Sequence, residues 1–423
     1  MALNILILFG VMFVLMIIGA PIAVSLGVAT ITTMVCTTNI SLTTIGTACF
    51  SGLDSFPLMA IPFFILAGNL MKSGGISRRI LNFADALVGS VTGSTGMVTV
   101  VASMFFAALS GSSPATVTAI GGITIPEMKK EGYEPAYATA LAAAAGTIGV
   151  IIPPSIPFVI YGVAAQCSIS DLFLAGIIPG IIIGAVLMGV NYFTARKNHY
   201  GTKKKFSAKN LFDSFRTSIW ALLVPVIILG GIYGGIFTPT ESAVVAIIYS
   251  LIIGVFVYKE LNLKTIYEAV RDTVLINGQT TFLVGISMSF ARFLTMSQVP
   301  TTIAGSILNI SNPVLILLVI NAFLLIVGCF IDNISSCVIL TPILLPIVLG
   351  IGMSPIQFGI VMTVNLAIGF ITPPYGCNLF FASAISNVPV TRIAVKIMPM
   401  ILVMIGVLML LTFIPALSIG ILG

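Results

Sequence analysis

The sequence predicts an all-α polytopic membrane protein made of two inverted-topology repeats, each with a re-entrant helical hairpin and a helix broken by a proline pair. Three observations carry that expectation. The 423 residues are 58% hydrophobic and only 7% charged, against about 25% charged residues in soluble domains. The stretch GVIIPPSIPF, with Pro153-Pro154, returns 220 positions later as GFITPPYGCN, with Pro373-Pro374. Loops matched by that offset differ in charge, as loops on opposite sides of a membrane do.

A stretch of about 20 apolar residues crosses roughly 30 Å of hydrocarbon, so the composition has room for on the order of ten helical spans. Continuous apolar runs, rather than alternating ones, exclude a transmembrane β-barrel. The opening segments MALNILILFGVMFVLMIIG and PIAVSLGVATITTMVC lack a small-residue cleavage pattern and read as spans, not as a signal peptide. The six cysteines (Cys36, Cys49, Cys167, Cys329, Cys337 and Cys377) show no CxxC spacing and read as small buried hydrophobes. The net charge of +6 lies mainly in loops, where it sets orientation; nucleic acid is not implied.

In chain order, residues 76–90, ISRRILNFADALVGS, mix polar and apolar faces and predict an interfacial helix. Residues 92–128 predict the first hairpin. Its tip, LSGSSPAT at 109–116, interrupts an apolar run with small polar residues, which survive at membrane depth only if buried in protein or facing a cavity. Two ordinary spans joined at the break would also return the chain to its starting side. Residues 136–165 predict a helix broken at Pro153-Pro154, since proline removes an amide donor and clashes with the preceding turn. The basic stretch 196–217 predicts a cytoplasmic linker. In the second half, Glu241 reads as a helix-start acid after Thr240, and 263–274, LKTIYEAVRDTV, as a second interfacial helix. A mirrored hairpin follows at about 312–349, with its tip at Asp332-Asn333, and a broken helix at 354–385. The repeats therefore span 1–195 and 218–416, leaving a tail at 417–423.

The stretch EMKKEGYE, 127–134, carries Lys129 and Lys130, whereas its match IVLGIGMS, 347–354, is uncharged. Lys72, Arg78 and Arg79 likewise face an uncharged partner at 299–307, while Lys264 and Arg271 match a stretch at 41–56 with no basic residue. The positive-inside rule then places the central linker in the cytoplasm and both termini in the periplasm. Arg392 and Lys396, after the second broken helix, fall on the same cytoplasmic side.

Unwound carbonyls and helix ends hold cations in membrane proteins, and helix N-termini attract anions. The first half offers Ser110, Ser112 and Ser113 with the carbonyls of Gly149 and Pro153; the second offers Asp332, Asn333, Gly369 and Thr372. Helix packing is the alternative for the serines. A carboxylate at the depth of Asp332 costs several kcal/mol unless paired, ion-bound or protonated, so it is a cation ligand or, alternatively, a proton carrier. Ser155, Tyr161 and Asn378 offer hydroxyl or amide groups to a substrate between the tips, and Arg292 offers a partner to a carboxylate. Capping, interfacial, turn and snorkelling roles compete for these four. His199, the single histidine, sits in the linker and excludes a histidine-based catalytic site, and no GxxxxGK[ST] stretch supports a nucleotide pump.

The stretch FFAALSGSSPATVTAIGGITIPEMKKEGYEPAYATALAAAAGTIGVIIPPSIPFVIYG, with GGIFTPTESAVVAIIYS and GFITPPYG, resembles the large membrane subunit of tripartite ATP-independent periplasmic (TRAP) transporters. The resemblance runs over essentially the whole chain. It implies an elevator-type secondary transporter, with scaffold and transport domains, in a bacterial inner membrane. It implies Na⁺ as coupling ion with no other cofactor, a small four-helix membrane subunit on a separate chain, and a soluble periplasmic protein that delivers an organic anion. It also implies that the nine tip and break positions named above are the sodium ligands. Sialic acid is the first substrate expectation and a C4-dicarboxylate the second. Proton coupling, or a passive channel or scaffold subunit, is the competing function; an enzyme is not expected.

Overall fold

The computed structural model describes residues 2–38, 40–201, 206–308 and 312–422. Within them every regular element is helical. The first part runs through α1 (Ala2–Ile17), α2 (Ile22–Thr37), α3 (Thr43–Leu53), α4 (Ala60–Ser73) and α5 (Ile76–Val88), then α6 (Ser94–Ser110), α7 (Ser113–Thr116) and α8 (Gly122–Lys130). It closes with α9 (Pro135–Gly146), α10 (Ile156–Ala165) and the long α11 (Ile169–Asn198). The second part holds α12 (Ala208–Tyr233), α13 (Pro239–Ile252), α14 (Leu263–Met296), α15 (Val299–Leu308), α16 (Pro313–Phe330) and α17 (Asn333–Gly350). It ends with α18 (Pro355–Gly369), α19 (Cys377–Ser386), α20 (Val390–Phe413) and α21 (Ala416–Ile419).

Eight helices among the described residues are long and apolar enough to cross a bilayer. This is a multi-pass membrane protein. Large apolar side chains such as Phe13, Ile17, Phe193, Phe256, Ile326 and Leu402 stand exposed, as lipid-facing surfaces require. The centre is small-sided instead. Every residue of α9 from Ala136 to Gly146 is buried, because its run of Ala and Gly lets neighbouring helices approach closely, and every residue of α18 from Gln357 to Gly369 is buried as well.

Each polar tip is a sharp chain reversal. After α6, Gly111 takes φ +58° and donates its N–H to Ala107 O, the left-handed cap that glycine adopts without strain. Ser112 is extended and the chain re-enters through α7, a π-turn at Val117–Gly121, and α8, which packs back on α6. The second reversal is between α16 and α17. There Asp332 is the N-cap, its carboxylate accepting from the backbone N–H of Ser335 at 3.1 Å and from the Ser335 hydroxyl.

Both proline pairs interrupt helices where expected. The chain leaves α9 through a 3-10 turn at Thr147–Val150 and resumes helix only at Ile156, while residues 370–376 separate α18 from α19. Pro153-Pro154 and Pro373-Pro374 are both cis.

Basic segments gather on shared ends of the bundle. The Lys129 ammonium donates to Ser386 O at 2.8 Å, Lys396 pairs with Glu134 at 2.7 Å, and Gly201 N–H donates to Glu131 O at 3.2 Å. These contacts join the base of the first hairpin and the turn after it to the end of α19, to α20 and to the start of the linker. Arg78 and Arg79 both pair with Glu260, at 2.8 and 2.7 Å, and the Arg79 guanidinium lies over the Tyr258 ring.

Two expectations are corrected. The linker is shorter than 196–217: α11 continues to Asn198 and α12 begins at Ala208, with 202–205 outside the described residues. Residues 263–274 are not a separate interfacial helix but the first third of the 34-residue α14, because no Pro follows to stop propagation and the isolated Gly278 and Gly285 are tolerated within a helix. Glu241 is a helix-start acid as expected: the Thr238 side chain, the cap of α13, accepts from Glu241 N–H while Glu241 accepts from Thr238 N–H at 2.8 Å, a capping box. Gly423, the last residue of the expected tail, also lies outside the described residues.

Candidate functional site

The first tip closes against the first helix break. Ser110 Oγ lies 3.1 Å from Thr116 Oγ1, and the Thr116 hydroxyl donates to Ser112 O at 2.9 Å. Gly149 packs directly on this group, since a Cβ there would lie 2.6 Å from Ser112 O and in contact with Thr116 Oγ1. On the other side of the break, Ile156 N–H donates to Gly111 O at 3.3 Å, and a Cβ on Gly111 would meet Pro154 O at 2.7 Å. Ser110, Ser113 and Thr116 are buried. Two hydroxyls and a carbonyl thus share a largely buried corner, a donor set that suits a hard cation. Thr116 lies within the expected tip at 109–116 but was missed as a candidate ligand, since only Ser110, Ser112 and Ser113 were singled out there.

The second tip meets its break through backbone. Gly369 lies so close to Gly328 that a Cβ would fall 2.6 Å from Gly328 Cα and O. Cys329 Sγ donates to Thr372 O at 3.1 Å, and the Thr372 hydroxyl donates to Ile368 O at 2.8 Å. In the first turn of α17, Asn333 Nδ2 and Ser336 Oγ are buried with no hydrogen-bond partner among the described residues, as is Thr363 Oγ1 in α18. A buried hydroxyl left unpaired costs on the order of 1–3 kcal/mol.

Asn378, in α19, crosses between the halves. Its side-chain amide donates to Ser113 Oγ at 2.7 Å and to Ala143 O at 3.1 Å, while its Oδ1 has no partner among the described residues. Tyr161 makes a second crossing, donating to Pro355 O at 2.7 Å from a fully buried position. Ser155 caps α10, accepting from Phe158 N–H and donating to Val150 O at 2.6 Å. The structure places these three in buried hydrogen bonds.

A cavity of about 530 Å³ opens at the first tip, where Ser110, Ser112 and Thr118 face Lys72 and Asp272, with Ile334 of α17 completing the wall. Its size is within the range of small-molecule sites. Lys72 and Asp272 were not anticipated as neighbours of the tip. Arg292 is elsewhere, in a separate cavity of about 740 Å³ between α3, α14, α10 and α17. No group of three or more His, Cys, Asp or Glu side chains gathers among the described residues, so a cation here would rest on hydroxyls, carbonyls and the Asp332 carboxylate.

Solved structures share this architecture at low identity. The YdaH transporter of Alcanivorax borkumensis superposes with a TM-score of 0.62 at 16% identity, covering 90% of this chain and 88% of that one. MtrF of Neisseria gonorrhoeae superposes with a TM-score of 0.62 at 15% identity, covering 88% of this chain and 83% of that one. Among sequence relatives, an isethionate TRAP transporter permease protein from Oleidesulfovibrio alaskensis is 46% identical over 97% of this chain, which spans 65% of that relative's length. A C4-dicarboxylate TRAP transporter large permease protein from Pseudomonas aeruginosa is 41% identical, over 88% of this chain and 87% of the relative. A sialic acid TRAP transporter large permease protein from Vibrio cholerae is 38% identical, over 94% and 93%. Residues 9–417 match the DctM component of tripartite ATP-independent periplasmic transporters, and this chain, a transporter permease subunit rather than an enzyme, belongs to that family.

Proposed function

We propose that this subunit carries out Na⁺-coupled uptake of a small organic anion across a bacterial inner membrane. It takes the anion from a soluble periplasmic binding protein and works with a small four-helix membrane subunit. In this reading the two halves are inverted repeats, both termini are periplasmic, and a core of hairpins and broken helices moves as an elevator against a scaffold that includes α14. One observation carries the proposal: the oxygen-lined corner at Ser110, Ser112 and Thr116 is continuous with a cavity large enough for an organic acid. A cation bound there would order the tip that forms the anion's wall, and that is a physical route to coupling.

The first Na⁺ takes Ser110, Ser112 and Thr116, with Ser113 and the carbonyls of Gly149 and Pro153 supporting it. The second takes Asp332, Asn333, Gly369 and Thr372. Lys72 supplies a positive charge to the anion in the tip cavity. The relatives' names cover isethionate, C4-dicarboxylates and sialic acid, whose shared chemistry is a small organic carboxylate or sulfonate. These three acids are the substrates to compare side by side.

Purified protein with its two partners in liposomes tests the reading. Substrate should accumulate only under an inward Na⁺ gradient, and equal flux without the gradient, with the binding protein present, would sink it. Proton coupling is the second reading, favoured by the single carboxylate at the second tip. Accumulation driven by a pH gradient at fixed Na⁺ would establish it instead.

A further inference from the structure

The cavity around Arg292 is not absorbed by the function proposed above. It lies at the other end of α14 from the tip cavity. Asp272 and Thr280 line the tip cavity, whereas Met288, Arg292 and Thr295 line this one. At 1.5 Å per residue, Asp272 and Arg292 are separated by about 30 Å along the helix. The two cavities therefore occupy successive stretches of α14, the tip cavity toward its start and the Arg292 cavity toward its end.

The Arg292 cavity is polar in an unusual way for a membrane protein. One wall is α3, whose Thr43, Thr47 and Ser51 recur every fourth residue, so they form a row on one helix face. Arg292 is exposed to the cavity and forms no ion pair among the described residues. Thr44, Ser55 and Gln166, also in the lining, have side chains without hydrogen bonds among the described residues. Gln166 occupies the C-cap of α10 at φ +53°, where glycine is the favoured residue. Its side chain lines the same cavity as Arg292. The cavity offers one planar cation and several uncommitted donors, and no lining residue is acidic. That set recognises a carboxylate or sulfonate with neighbouring hydroxyls.

We propose that this cavity is a receiving site for the transported organic anion, held by Arg292 with Thr44, Ser55 and Gln166, before the anion reaches the tips. The inference rests on the anion uptake proposed above. It assigns Arg292 a binding role separate from the tip site. A positive charge at the mouth raises the local concentration of anions and speeds capture.

Thiol labelling tests it without any gradient or transport. In a Ser51→Cys variant of the purified full chain, an anionic methanethiosulfonate should react faster than its trimethylammonium counterpart. The preference should fall by about tenfold in Arg292→Gln and return in Arg292→Lys. Labelling is followed by mass spectrometry of the peptide that carries the introduced thiol, so that native cysteines do not interfere, and it should be slowed by millimolar succinate, isethionate or N-acetylneuraminate. A Leu275→Cys reporter in the tip cavity should keep its rate in Arg292→Gln, which reports an intact fold. No charge preference, a preference unchanged by Arg292→Gln, or protection by none of the three acids would each overturn the proposal. Protection by phospholipid vesicles alone would also overturn it, in favour of a lipid headgroup. Because labelling is independent of Na⁺-driven uptake, this site and the coupled transport can fail separately.

Discussion

Thr116 is the residue on which the first tip turns. Its hydroxyl touches both Ser110 Oγ and Ser112 O, so removing the hydroxyl while keeping the shape isolates its role. Thr116→Val should raise the Na⁺ concentration for half-maximal uptake about tenfold, the scale on which loss of one partner at a metal site acts. Unchanged Na⁺ dependence in correctly inserted protein would remove Thr116 from the site. Asp332→Asn should likewise weaken Na⁺ dependence, measured as uptake against Na⁺ at fixed membrane potential. The sequence contains a signal for Thr116, since the same 220-position offset pairs it with Ser336, another hydroxyl. Side-chain direction is not legible there. Ser155 and Tyr161 look available to a substrate because they follow the break, yet their hydroxyls are consumed by Val150 O and Pro355 O. Charge alone groups Arg292 with the tips, and only the fold separates it from them.

At the scale of elements, the breaks are the most legible part, because a proline pair after glycine leaves a helix little alternative. The reason for the glycines is less visible. Gly369 is required by Gly328 on the facing limb, a contact between segments far apart in sequence. Gly369→Ala should therefore abolish uptake or sharply lower the yield of folded protein. Gly122, by contrast, has open space where an alanine methyl would lie, with no atom within 4 Å; there Gly122→Ala should be neutral or stabilise by about 0.5–1 kcal/mol. Thermal unfolding in detergent, with uptake beside it, distinguishes the two. The amphipathic start of α14 reads as a separate element in the sequence because local pattern reports a helix face and not where the helix ends.

Across the whole molecule, ion pairs tie distant segments together at the bundle ends. Glu260 links the turn before α14 to Arg78 and Arg79 on α5. Burial works to raise its carboxyl, but the hydrogen bond and charge of Arg79, joined by Arg78, outweigh it and hold the group below its ordinary value of 4.5. A depressed carboxylate contributes stability that is complete above the ordinary value and is lost as pH falls through the lowered one. The unfolding temperature should thus be insensitive to this pair near neutrality and decline in acid, and Glu260→Gln should remove that acid-side decline. An unchanged acid profile in Glu260→Gln would show that the clamp contributes nothing. The charge asymmetry of matched loops is readable from sequence; which loops clasp one another is not.

The 34 residues of α14 extend about 50 Å, well beyond the roughly 30 Å of a hydrocarbon core. Asp272 and Arg292 mark off about 30 Å of that length, so the helix carries its own ruler for the membrane it sits in. A thicker bilayer would draw one of these charges into lipid, and a thinner one would leave apolar turns in water; tilting to escape either costs fractions of a kcal/mol per ångström. Since both cavities are built on this helix, its tilt would change the shape of each. Uptake in short-, medium- and long-chain phosphatidylcholines should therefore peak at matched thickness and fall on both sides, tying transport by this protein to the lipid composition of its host membrane.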